Sequence, residues 1–125
     1  MGIPPPDRKI AVVLIVEDEP LIRMSAVDLF EEAGFIAFEA PNADEALVML
    51  GQHPDITILF TDVDMPGTMD GLDLARKVSE SDPGIHVIVG SGHRSVAPAD
   101  LPHGALFFPK PYDLPRLTAA IQRLV

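Results

Sequence analysis

Apolar residues in this chain fall into short continuous runs, and between the runs they recur at helical spacing. The runs cover residues 10–16, 35–38, 56–60, 87–89 and 105–108. Three of them are unbroken and rich in Val, Ile and Leu, the pattern of parallel strands buried on both faces. A first helix is predicted from Pro20, a good first-turn residue, with Ile22, Ala26, Leu29 and Ala33 on one face and Gly34 to end it. A second opens at Asn42, with Glu45 three residues on in a capping-box arrangement. A third carries Leu72, Ala75 and Val78. A last one starts near Asp113 and shows Leu114, Leu117, Ile121 and Leu124. Between Ser91 and Gly104, Pro98 and Pro102 leave room for a turn or so of helix. A fourth helix there is expected to be short or irregular, with fast motion over residues 93–103.

Strict β-α alternation implies a parallel sheet covered on both faces, joined by right-handed crossovers. Five strands at this length point to a flavodoxin-like (βα)5 sandwich of order 2-1-3-4-5. Its ligand crevice lies at the carboxyl ends of strands 1 and 3.

The 125 residues fit one domain. Residues 1–9, with three consecutive prolines, read as a flexible tail, and 10–125 as the domain. With 47% apolar residues the chain can build a core. A formal net charge of −10 opposes direct contact with nucleic acid or anionic membrane; it fits a basic protein partner or a cation site, although a charge of this kind most often serves solubility. No cysteine is present, so disulfides, thiolate catalysis and Cys-ligated metals are excluded. No apolar run approaches the roughly 18 residues of a membrane span, and the N-terminus lacks a signal-peptide core, so a cytoplasmic location is expected.

Polar chemistry gathers where the strands end. Glu17, Asp18 and Glu19 follow the first run, Asp62 the third, Ser91 and Gly92 the fourth, and Lys110 and Pro111 the fifth. In an open parallel sheet these ends share one edge. Crowded carboxylates repel one another, and a hard divalent cation with oxygen ligands, Mg²⁺ above all, relieves that repulsion. A carboxylate beside such a cation and an ammonium is a fit nucleophile for phosphoryl transfer.

These segments together resemble the receiver domain of two-component response regulators. The matching stretches are Val13-Leu14-Ile15-Val16-Glu17-Asp18-Glu19-Pro20, Leu59-Phe60-Thr61-Asp62-Val63-Asp64-Met65-Pro66, Asp70-Gly71, Val87-Ile88-Val89-Gly90-Ser91-Gly92 and Lys110-Pro111-Tyr112. Each is weak alone, whereas five in order at strand ends are specific. The resemblance implies that Asp62 is the phosphoacceptor. It implies Mg²⁺ ligation by Asp18, Asp62 and the backbone carbonyl of Asp64, with Glu17 acting through water. Ser91 becomes the switch hydroxyl, Phe107 the switch aromatic, Lys110 the phosphoryl-facing cation, and Pro111 a residue often preceded by a cis peptide. The implied partners are a histidine kinase or phosphotransfer protein upstream and a protein acted on in trans downstream, with homodimerisation open. Mg²⁺-dependent self-phosphorylation and self-dephosphorylation follow from the same resemblance.

Three departures stand out. The loop from Asp62 to Gly71 is one residue longer than the common spacing. The segment from Ser91 to Lys110 is short and broken by proline, which affects the family's usual output surface. Phe107 lacks the hydroxyl of a tyrosine, so its signal is packing alone. The Asp64 side chain is expected in solvent. An aspartate-nucleophile phosphohydrolase is the alternative suggested by Asp62-Val63-Asp64, although here the motif follows the third strand rather than the first. A flavin carrier is disfavoured by acidic residues where a phosphate loop belongs, and a receiver that has lost phosphorylation by the complete residue set.

Overall fold

The computed structural model describes residues 11–92 and 96–124. The tail and His93 therefore lie outside the described residues, as does part of the 93–103 segment expected to move. Five strands, β1 (Val12–Val16), β2 (Ile36–Ala40), β3 (Ile58–Asp62), β4 (His86–Ser91) and β5 (Leu106–Pro109), form one parallel sheet of order β2-β1-β3-β4-β5. Four α-helices, α1 (Pro20–Glu32), α2 (Ala43–Gln52), α3 (Gly71–Ser81) and α4 (Leu114–Gln122), cover its two faces.

Side chains alternate across a strand, so each central strand feeds two cores. Val12, Leu14, Leu59, Val87 and Val89 pack towards α2 and α3. Val13, Ile15, Ile58, Phe60 and Ile88 pack towards α1 and α4. All five residues of β1 and of β3 are buried, which explains why those strands are continuously apolar through Val16 and Phe60. Strand β2 stands at the sheet edge, and its Ile36 and Glu39 are exposed.

Each helix start has a local cause. Pro20 supplies the first turn of α1, and Gly34, at φ +93°, carries the chain out of it. The face of α1 differs from the sequence expectation. Ile22 is 38% exposed, and Phe30 is the fully buried anchor, edge-on to Phe35 and Phe60. A bulky ring in the middle of the stripe fills the space above β1 and β3 and leaves the first turn free. Asn42 caps α2 by accepting from the Glu45 amide at 2.9 Å, while its own amide group donates to the Glu45 carboxylate. The reciprocal capping box sits instead at α3, between Asp70 and Asp73. Asp113 caps α4, where Leu117 and Ile121 are buried.

Between β4 and β5 the regular structure among the described residues is one 3-10 turn, Pro98–Asp100, in agreement with the short or irregular element expected there. Arg76 on α3 ties it down by donating to the Asp100 carbonyl at 3.0 Å. Among the described residues no helix is long and apolar enough to cross a membrane.

Candidate functional site

The carboxyl edge of the sheet brings Glu17, Asp18, Asp62, Ser91 and Lys110 together from four segments. Glu17 and Asp18 follow β1 directly, Asp62 ends β3, Ser91 ends β4, and Lys110 follows β5. Beyond Asp62 the backbone is pinned twice, by Val63 N–H donating to the Gly90 carbonyl and Gly71 N–H donating to the Val63 carbonyl, each at 2.9 Å. Gly71 lies so close to Asp62 that a Cβ there would stand 1.7 Å from the Asp62 carbonyl oxygen. Only glycine allows that approach.

Lys110 is the hub. Its Nζ donates to Glu17 Oε1 at 2.7 Å and lies 3.2 Å from Asp62 Oδ1. Asp62 Oδ1 is buried and accepts no well-aligned hydrogen bond, so its contact with Lys110 is an ion pair alone. Glu17 Oε2 accepts from the Glu19 amide at 3.2 Å. Glu17, Asp18 and Asp62 each present one carboxylate oxygen within 4.8 Å of the others. Glu17 and Asp62 are buried, while Asp18 is exposed and borders an open recess of about 460 Å³ shared with Asn42, Asp44 and Thr68. Three carboxylates facing one another, one of them with an unsatisfied buried oxygen, are a donor set suited to a hard cation.

The electrostatics express that crowding. Burial pushes the Asp62 carboxyl above its ordinary pKa; Lys110 counters this, and Asp64 and Asp18 add to it. Burial also raises Glu17, against its hydrogen bond from Lys110. For Lys110, burial acts to lower the pKa, but the bond to Glu17 and the charge of Asp62 outweigh it and the net shift is upward.

Ser91 Oγ donates to Asp64 Oδ2 at 3.2 Å. The Asp64 side chain, expected in solvent, is therefore half-buried and engaged. The reason is the register: Asp62 pairs with Gly90, which sets Ser91, the last residue of β4, beside the chain just past the end of β3. Phe107 is half-buried against the α2/α3 core, three residues before Lys110, whose peptide bond to Pro111 is cis. On the other face Tyr112 packs edge-on to Phe60, with centroids 5.4 Å apart. Sequence reasoning gave Tyr112 no role, yet burial and the charges of Asp62 and Glu17 raise the pKa of its hydroxyl. The small residue Gly90 was the available signal.

Fold and site together define a doubly wound α/β domain with a cation-suited acidic cluster and a lysine at the carboxyl edge of its sheet. Residues 13–122 match the model of the response regulator receiver domain, and the chain belongs to that family. It is 32% identical over 116 residues to the response regulator receiver protein CpdR of Brucella abortus, an alignment covering 90% of this chain and 95% of CpdR. It is 35% identical over 121 residues to the sensor kinase CckA of Brucella abortus, covering 92% of this chain but 12% of CckA. A crystal structure of a response regulator receiver protein from Pseudomonas putida superposes with a TM-score of 0.82 at 30% identity, covering 93% of this chain and 98% of that one. The chain is thus a receiver domain of the two-component type, a signalling protein, and the phosphohydrolase alternative is not favoured.

Proposed function

We propose that Asp62 is the phosphoacceptor of this receiver domain, in a Mg²⁺-dependent phosphorelay. The observation that carries the reading is the state of Asp62: a buried carboxylate with an unsatisfied oxygen, 3.2 Å from the Lys110 ammonium and flanked by Glu17 and Asp18. The Asp62 carboxylate forms the new O–P bond as the donor's bond to phosphorus breaks, and the donor keeps the electron pair. Lys110 faces the negative charge that develops on the phosphoryl oxygens, and Ser91 turns towards it once released from Asp64. Glu17, Asp18, Asp62 and the Asp64 carbonyl would hold the ion, which when bound offsets phosphoryl charge. Attack of water on the same phosphorus returns the free carboxylate, so the domain both takes up and sheds the group.

Phe107, half-buried beside β4, is the aromatic whose packing answers the movement of Ser91. The phosphodonor is a histidine kinase or phosphotransfer protein. In support, Leu21 and Met24 on the first turns of α1 are 73% and 58% exposed, close in sequence to the acidic pair and free to meet an apolar partner. The downstream partner is a protein acted on in trans in the cytoplasm, since a net charge of −10 disfavours nucleic acid.

Acetyl phosphate with Mg²⁺ is expected to add one phosphoryl mass to the wild-type protein and none to Asp62→Asn. Undiminished modification of Asp62→Asn would overturn the assignment.

A further inference from the structure

The single tyrosine of the chain is built into the edge of the phosphoacceptor site. Phe60 and Asp62 are two apart on β3, so their side chains leave the sheet on the same face, the one that packs against α1 and α4. Ile88 packs on that face too, so a side chain at Gly90, two residues on, would point the same way. Asp62 and Gly90 are register partners on adjacent strands, about 4.8 Å apart. The side chain missing at Gly90 thus leaves a niche directly beside that of Asp62.

Tyr112 fills that niche with its hydroxyl. A Cβ at Gly90 would stand 2.2 Å from Tyr112 Oη and 2.9 Å from the adjoining ring carbons. The ring is fixed against Phe60, so the hydroxyl is held there rather than swung out. It has no hydrogen-bond partner among the described residues, and its neighbour one strand away, Asp62 Oδ1, is likewise without one. A phenol is a donor that stays neutral at physiological pH. Resting on the reading of Asp62 as phosphoacceptor, we propose that Tyr112 is a further donor of the site, its hydroxyl hydrogen-bonding an oxygen of the phosphoryl group carried by Asp62. Phosphorylation adds charge and three acceptor oxygens beyond the carboxyl and supplies a partner that the hydroxyl lacks among the described residues. The glycine at 90 and the tyrosine at 112 then act as one unit: the first clears the space and the second fills it with a donor.

Tyr112→Phe removes the hydroxyl and keeps the ring packing. Calorimetric titration with beryllofluoride, a phosphoryl mimic, in saturating Mg²⁺ is expected to give an affinity about ten-fold below wild type, as for loss of a hydrogen bond to a charged group. Affinity for Mg²⁺ alone is expected to be unchanged. Wild-type beryllofluoride affinity in the variant overturns the inference, as does an equal loss of Mg²⁺ affinity, which marks a structural effect. Because Tyr112 is the only tyrosine, 3-fluorotyrosine labels it alone. Its ¹⁹F resonance is expected to shift on adding beryllofluoride to the Mg²⁺-loaded protein, a test that needs no substitution; an unmoved resonance also overturns the inference. A wild-type protein that does not bind beryllofluoride overturns the phosphoacceptor reading and this inference with it.

Discussion

The hydroxyl of Ser91 donates to the carboxylate of Asp64 at 3.2 Å, across the ends of β4 and β3. On the proposed reading of Ser91 as the switch hydroxyl, it starts engaged with Asp64 rather than with Asp62 and leaves that acceptor to meet a phosphoryl group. Removing the acceptor removes a contact worth about 1 kcal/mol. Asp64→Ala is expected to bind beryllofluoride roughly five-fold more tightly than wild type in Mg²⁺, since about 1 kcal/mol is a factor of that order. Unchanged or weaker binding in this variant would remove Asp64 from the switch.

Crowding at the acidic edge has a signature in stability. In the metal-free protein Asp62 and Glu17 both titrate above their ordinary values, chiefly because they are buried. A carboxyl with a raised folded pKa holds its proton more tightly folded than unfolded. Between the ordinary carboxylate value and the raised one the folded state binds more protons, so stability falls as pH rises through that window. Thermal unfolding of the metal-free protein is expected to show this fall, with Asp62→Asn flattening it and melting higher than wild type near neutral pH. A stability that rises through the window would contradict the electrostatic account.

Lys110 opposes that repulsion. Its ammonium is the counter-charge to two buried carboxylates at 2.7 and 3.2 Å. Lys110→Met leaves Glu17 buried without its partner, a change that costs about 3 kcal/mol for a broken buried pair. Chemical denaturation is the measurement, and Mg²⁺ is expected to restore part of the loss by binding the folded state. A variant as stable as wild type without metal would show that the pair contributes no net stability.

Two glycines separate a steric requirement from a tolerance. Gly71 faces the Asp62 carbonyl with no room for a methyl group, whereas a Cβ at Gly51, in α2, meets nothing within 4 Å. Gly51→Ala is expected to stabilise the protein by about 0.5–1 kcal/mol, through the lower backbone entropy of the unfolded chain. Gly71→Ala is expected to destabilise it by more than that and to slow phosphorylation by displacing Asp62. Equal effects at the two positions would contradict the packing described around β3.

The strands that carry the site were legible because they are buried on both faces, and such burial leaves an unbroken apolar run. β1 therefore announced Glu17 and Asp18, which follow it directly, and β3 announced Asp62, its last residue. The partial fourth element was legible from Pro98 and Pro102, which limit any helix between them. Long-range pairings were less visible. The hydrogen bond from Lys110 to Glu17 joins residues 93 positions apart, and the Ser91 contact with Asp64 depends on the register of two strands. Ile22 was expected on the buried face of α1, but Phe30 takes that role because the larger ring fills the gap over Phe60. Tyr112 was missed because its meaning depends on Gly90, and an absent side chain leaves little trace in a pattern of apolar and polar positions.

Chemical location of the transferred group tests the central claim most directly. Protein treated with acetyl phosphate and Mg²⁺ can be reduced with borohydride, which converts a phosphorylated aspartate into a stable alcohol, and then mapped by peptide mass spectrometry. The account requires the reduced residue to be Asp62 and requires the product to vanish when Mg²⁺ is chelated. Reduction at Asp18 or Asp64 with Asp62 intact would contradict it.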